Sequence, residues 1–217
     1  MAVKAAPSIL SGDFARMGEE VVRMERAGAD MIHCDVMDGI FVPNLTFGHK
    51  MVADIRKYAS TPLDVHLMID RPERYLDKFI EAGADRLCFH TEASDIVLGN
   101  LERIRSADVK AGIAICPETP AESIFDILGY CDFIIVMGVH PGFSGQKYIP
   151  ETTDKLKALR SFIATNKLRT EIEMDGGANE SNVAAIAAAG ADIIVSGSCA
   201  FNSPTPEKVI ATFQGRI

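Results

Sequence analysis

Short apolar runs alternate with longer amphipathic stretches along the whole chain. The runs at 4–9, 31–36, 63–67, 86–90, 110–115, 133–137, 171–174 and 193–196 are rich in Val, Ile, Leu, Met, Cys and Phe and lack clean polar alternation. That pattern predicts strands buried on both faces, as in a parallel sheet. Between them, 14–27, 48–58, 72–82, 96–106, 121–128, 150–165, 179–189 and 206–213 carry helical periodicity, and Pro72, Pro150 and Pro206 stand at helix starts, where proline is tolerated. Ala-Gly-Ala-Asp closes three of the helical stretches, at Ala27–Asp30, Ala82–Asp85 and Ala189–Asp192. Each copy predicts a glycine C-cap followed by a tight turn into a strand, so the phrase marks a repeated αβ unit. Eight strands alternating with eight helices predict an α/β fold, a (β/α)8 TIM barrel, with an open doubly wound sheet as the structural alternative. No Pro/Gly/Ser-rich linker divides the chain, so one barrel domain over residues 1–217 is expected.

Composition narrows the function. The chain has 217 residues, 47% hydrophobic and 24% charged, which is ordinary for a globular protein and excludes a disordered or collagen-like chain. The formal charge of −8, without a long basic run, argues against nucleic acid as a partner. A small anion remains compatible, because backbone N–H groups can hold a phosphate without net positive charge. Five widely spaced cysteines with no CxxC pair predict reduced, mostly buried thiols. The first ten residues lack the apolar core of a secretory signal and no apolar stretch approaches membrane-spanning length, so a cytoplasmic protein without membrane contact is expected.

In this fold the chemistry sits at the C-terminal ends of the strands. His33 and Asp35 lie two apart on the second strand and share a side of it, with Met37 beyond; His66 and Met68 end the third, and Asp175 ends the seventh. Two imidazoles and two carboxylates that converge on one point suit a divalent transition metal such as zinc, iron(II), cobalt or manganese; singly, each would read as a hydrogen-bonded polar residue capping the core. Gly142-Phe143-Ser144-Gly145, Gly176-Gly177 and Gly197-Ser198 follow the last three strands, where phosphate sites of such barrels are built. Met37, Met68, Met137 and Met174 stand at strand ends, either as core filling or as an apolar lining near a reacting carbon. His90 and Glu92 have no assigned role, His140 has no assigned direction, and His49 is read as a surface group.

Longer motifs then carry a resemblance. Pro7-Ser8-Ile9-Leu10-Ser11 with Asp13-Phe14, His33-Cys34-Asp35-Val36-Met37-Asp38-Gly39 running into Phe41-Val42-Pro43-Asn44, Leu63-Asp64-Val65-His66-Leu67-Met68, Pro141-Gly142-Phe143-Ser144-Gly145-Gln146 and Glu173-Met174-Asp175-Gly176-Gly177 occur in order along the chain. In these the sequence resembles the ribulose-phosphate 3-epimerase family over essentially its whole length. The resemblance implies a ribulose-phosphate-binding barrel with one divalent metal ion, held by His33, Asp35, His66 and Asp175. It implies interconversion of D-ribulose 5-phosphate and D-xylulose 5-phosphate through an enediolate, with Asp35 and Asp175 as the acid/base pair. Substrate contacts then fall on Ser8, His66, Gly142, Phe143, Ser144, Gly145, Gly176, Gly177, Gly197 and Ser198, and a homo-oligomer is expected; the strand-end reading itself adds an apolar lining of Met37, Met68 and Met137.

The sequence departs from the family where Ser144 replaces a frequent third glycine, where His140 precedes Pro141, and where Cys116 stands in place of a common asparagine. These positions bear on substrate detail rather than on the reaction class. A 3-epimerase of a related ketose phosphate, such as D-allulose 6-phosphate, shares the same ligands and acids. A phosphate-binding decarboxylase would resemble Asp-x-Lys-x-x-Asp, but the strand reads His33-Cys34-Asp35-Val36-Met37-Asp38 and has no lysine. A non-catalytic barrel that binds metal or sugar phosphate is the alternative from another class.

Overall fold

Each apolar run becomes a parallel strand in the computed structural model, which describes residues 3–217. The strands are β1 (Lys4–Pro7), β2 (Ile32–Met37), β3 (Leu63–Met68), β4 (Arg86–His90), β5 (Lys110–Ile115), β6 (Phe133–Met137), β7 (Glu171–Asp175) and β8 (Ile193–Ser196). Sequential neighbours pair from β2 through to β8, and β8 pairs back onto β1. A single parallel bridge, Ser8 to His33, joins β1 to β2 and closes the ring. This cyclic order is that of a TIM barrel and excludes the open doubly wound sheet.

The α-helices on the outside are α1 (Met17–Arg26), α2 (His49–Ile55), α3 (Leu76–Glu81), α4 (Val97–Arg105), α5 (Thr152–Thr165), α6 (Val183–Ala189), α7 (Ser198–Phe201) and α8 (Pro206–Phe213). Several expected helices are shorter than their periodicity suggests. Phe14–Arg16 and Pro72–Arg74 are separate 3-10 turns, and α5 and α6 begin after Pro150 and Asn179. The stretch expected as a helix over 121–128 is a 3-10 helix, Ala121–Tyr130. Its apolar residues Ala121, Ile124 and Ile127 repeat every three residues and pack on the core, the spacing that a three-residue turn eclipses on one face. The short helix α7, between β8 and α8, has no counterpart in the periodic stretches.

The repeated phrase has a structural meaning. Gly28, Gly83 and Gly190 all adopt positive φ, as a helix C-cap turn requires. The aspartate after each one enters a strand and accepts the backbone N–H of the strand before it: Asp30 from Ala5, Asp85 from Leu63 and Asp192 from Ile172, at 2.7–2.8 Å. Asp132 does the same for Ala111 at 2.9 Å, so Gly129-Tyr130-Cys131-Asp132 is a fourth, degenerate copy. The four carboxylates staple β1 to β2, β3 to β4, β5 to β6 and β7 to β8 at the bottom of the barrel.

Alternate strand residues fill two different cores. One set packs against the helices in a large layer that includes Cys34, Val65, Leu87, Ile113, Ile134, Met174 and Ile194. The other set fills the barrel. There Gly112 makes room for Phe133, whose ring lies 2.5 Å from where a Cβ would stand. The Arg86 guanidinium rests 3.8 Å from the centre of the same ring. Arg86 also bridges Asp64 at 2.9 Å, Glu173 at 2.9 Å and Glu171 at 2.8 Å, so a charged layer floors the site above it.

Candidate active site and metal centre

Strand parity aims His33 and Asp35 of β2, His66 of β3 and Asp175 of β7 into the barrel mouth. One donor atom from each falls within 4.8 Å of the others. Asp35 Oδ1 lies 3.3 Å from both His33 Nε2 and His66 Nδ1, and Asp175 Oδ2 lies 3.8 and 3.5 Å from the same two nitrogens. Both imidazoles are completely buried, and the two carboxylates nearly so.

The outward nitrogens of the two rings are already engaged. His33 Nδ1 faces Asp64 Oδ2 at 2.7 Å, and Arg86 holds that carboxylate in place. His66 Nε2 meets His90 Nε2 at 3.0 Å. The inward nitrogens, His33 Nε2 and His66 Nδ1, have no hydrogen-bond partner. Two orphaned buried imidazole nitrogens beside two carboxylate oxygens form a donor set that fits a divalent transition metal. Outer hydrogen bonds that fix each ring's orientation complete the pattern of a metal centre.

The electrostatics agree with that reading. Burial disfavours a charged His33, but Asp35, Asp64 and Glu173 outweigh it and raise its pKa well above the usual value. Burial likewise opposes a charged His66, which Asp175 and Asp35 overcome. Asp35 is held far below the ordinary carboxylate range because the two imidazoles exceed its own burial penalty. Beneath them burial, with Asp64 beside it, pushes Glu173 up to about 7.

Ser8 sits at the end of β1 as the N-cap of the turn Ile9–Ser11, and its hydroxyl donates to Asp35 Oδ2. A cavity of about 560 Å³ opens above the cluster, lined by Ser8, Asp35 and Asp175 together with Met37, Met68 and Met137. Gly142, Phe143, Ser144, Gly145, Gly176, Gly177, Gly197 and Ser198 line the same cavity on its other flank. Met174 does not; it packs between sheet and helices. Gly177, at φ 74°, lies so close to Tyr148 that a Cβ would stand 2.5 Å from its backbone. Ser144 has no positive φ, so its Cβ is accommodated without strain. Asn44 donates to the Gly142 carbonyl at 2.7 Å and Gln146 to the His140 and Phe143 carbonyls at 2.6 and 2.9 Å, which pins the β6 loop across the mouth.

The structure separates the remaining histidines. His49 is exposed, and His140 points to solvent, paired with Glu118 at 2.9 Å. His90 is completely buried against His66, and burial lowers its pKa to about 4. Its direction follows from the register between strands: Cys88 pairs with His66, so His90, two residues on, shares the inward parity. Asn179, Asn182, Tyr148 and Lys147, which no motif reasoning singled out, also line the cavity.

A closed parallel barrel with a polar cluster and a cavity at its C-terminal mouth defines a TIM-barrel enzyme. The profile of the ribulose-phosphate 3 epimerase family matches residues 4–201, and the chain belongs to that family. The chain is 49% identical over 208 residues to the ribulose-phosphate 3-epimerase of Rhodobacter capsulatus, covering 94% of this chain and 90% of that one. It is 45% identical over 213 residues to the Escherichia coli K12 enzyme of the same name, covering 98% and 95%. Among solved structures, 3-hexulose-6-phosphate synthase superposes with a TM-score of 0.70 at 16% identity over 100% of both chains. A variant of the tryptophan synthase α-subunit from Pyrococcus furiosus reaches 0.74 at 16% identity, over 99% of this chain and 100% of that one. At such identities these two show the shared fold alone.

Proposed function

We infer that this single barrel domain is a metal-dependent ribulose-phosphate 3-epimerase that interconverts D-ribulose 5-phosphate and D-xylulose 5-phosphate. The observation that carries the reading is the pair of carboxylates, Asp35 and Asp175, set around two inward-facing imidazole nitrogens at the floor of a cavity of about 560 Å³.

Epimerisation beside a ketone removes a proton from one face of C3 and returns one to the other. Asp35 projects from β2 and Asp175 from β7, so one carboxylate serves as base and the other as acid, with the roles exchanged in the reverse direction. Ser8, donating to Asp35 Oδ2, holds that carboxylate in its working rotamer. His33, Asp35, His66 and Asp175 would hold the metal, of the zinc, iron(II), cobalt or manganese class. When bound, it supplies Lewis acidity that stabilises negative charge on the substrate oxygens beside the reacting carbon. Met37, Met68 and Met137 line the cavity beside the acids and keep bulk water from the carbanionic carbon.

The phosphate lies on the opposite flank, against the backbone of Gly142 to Gly145, Gly176-Gly177 and Gly197-Ser198. Binding energy gathered there positions C3 between the two acids. Incubation of D-ribulose 5-phosphate with the metal-loaded protein in deuterium oxide should place one deuterium at C3. Turnover with no label, or label at another carbon, would contradict the reading.

Two expected outcomes follow from this assignment. Ser144→Gly should change KM several-fold and leave kcat nearly unchanged, because the residue touches the phosphate end of the cavity only; a loss confined to kcat would contradict its place. Metal affinity should fall as pH is lowered. The carboxylates raise the pKa of His33 and His66, so protons compete for the same nitrogens and loading releases them. In the stripped protein the same groups act with the opposite sign. Their raised folded-state pKa values give stability that is full below the unfolded histidine value of about 6.5 and is lost as pH rises through the raised values. Calorimetric metal titrations in buffers of different ionisation enthalpy measure the protons released; none released at neutral pH would sink this account.

A further inference from the structure

A second group of donors lies at the next strand ends, around the barrel from the first. His90 closes β4, Glu92 lies in the 3-10 turn Thr91–Ala93 that follows, and Cys116 comes directly after β5. His90 Nδ1 is 3.3 Å from Glu92 Oε2 and 3.5 Å from Cys116 Sγ, and one donor atom from each lies within 4.8 Å of the others. The group is built rather than incidental. Glu92 Oε1 accepts the Cys116 backbone N–H at 2.8 Å and the Thr119 hydroxyl, which leaves Oε2 turned toward His90. The Lys155 ammonium donates to the carbonyls of Cys116 and Pro117 at 2.8 and 3.0 Å and fixes the turn that carries the thiol. Phe41 packs its ring 4.8 Å from that of His90. His90 is buried, whereas Glu92 and Cys116 are both partly open to solvent.

We propose that His90, Glu92 and Cys116 form a second cation site, for a thiophilic divalent metal of the zinc class, whose loading opposes that of the site made by His33, Asp35, His66 and Asp175. One imidazole nitrogen, one carboxylate oxygen and one sulfur, with a fourth position open to water, is a donor set that zinc accepts readily. The sulfur distinguishes this site from the first, which offers nitrogen and oxygen alone. Without a cation Cys116 stays a thiol, pushed up to about 12 by burial and by Glu92. A coordinating cation reverses that preference, and the Sγ proton leaves to water as the metal–sulfur bond forms.

The opposition comes from one hydrogen. His66 and His90 face each other through their Nε2 atoms, so one donates and the other accepts. When His66 gives its Nδ1 lone pair to the first site, its Nε2 carries the hydrogen and His90 accepts it. The hydrogen of neutral His90 then sits on Nδ1, toward Glu92. A cation on His90 Nδ1 moves that hydrogen to Nε2, where two N–H groups confront each other at hydrogen-bond distance. Loading both sites therefore costs the hydrogen bond that orients His66.

Cobalt(II) titration of the metal-stripped full chain tests this without reference to activity, so its outcome is independent of the epimerase assignment. Wild type is expected to take up a second cobalt with thiolate-to-cobalt charge-transfer absorption in the near ultraviolet. Cys116→Ser should lose that absorption and the second equivalent while keeping the first, and Cys199→Ser should lose neither. Uptake of one cobalt only, or absorption that survives Cys116→Ser, overturns the site. The coupling is read in Asp175→Asn, where a weakened first site should tighten cobalt at the sulfur site several-fold. Identical sulfur-band titrations in this variant and in wild type overturn the coupling.

Discussion

Asp175→Asn should reduce kcat by at least about a hundred-fold and weaken metal binding in the same protein. The substitution removes a proton-transfer group and a negatively charged ligand together, because Asp175 Oδ2 faces both His33 Nε2 and His66 Nδ1. Asparagine keeps the shape, so the barrel should fold and melt much as before. The double loss separates this residue from one that merely lines the cavity, for which KM would carry the change. Steady-state kinetics at saturating metal, beside a metal titration, give both numbers. Near-normal turnover would remove Asp175 from the acid/base pair.

Arg86→Leu should strongly destabilise the barrel. Arg86 is 3% exposed, and its guanidinium is shared among Asp64, Glu173 and Glu171. Its removal strands the Asp64 and Glu173 carboxylates in the interior, and breaking a buried ion pair on one side costs about 3–5 kcal/mol. For a domain of this size that is roughly 6–20 °C in melting temperature. The effect should also reach the site, because Asp64 orients His33 through Nδ1. Metal affinity should fall although no ligand has changed. Chemical denaturation and a metal titration on the same variant check the two parts; wild-type stability would show that the charged layer is paired in some other way.

The alternation of runs and the strand-end positions were enough to reach the barrel and the four converging residues, because both rest on local signals. A buried parallel strand is apolar throughout, and a residue at its C-terminal end can be counted from the run. What escaped needed register between strands. The direction of His90 depends on pairing with β3 and β5, which no local pattern encodes. The stacked charges of Asp64, Arg86 and Glu173 come from three strands and make sense only once their shared interior layer is seen. The fourth staple, at Asp132, was hidden because Tyr130 and Cys131 replace the small residues of the other copies and the preceding segment winds as a 3-10 helix. Helix starts lie a few residues later than the periodicity implies where turns of a different pitch precede the α-helix, as at Phe14–Arg16 and Pro72–Arg74.

The measurement that tests the central claim most directly is a coupled assay on metal-reconstituted protein, with D-ribulose 5-phosphate and D-allulose 6-phosphate compared in one buffer. The account predicts rapid, metal-dependent epimerisation with a clear preference for the five-carbon substrate. Preference for the six-carbon substrate would contradict the substrate assignment, and silence on both with metal bound would contradict the reaction itself.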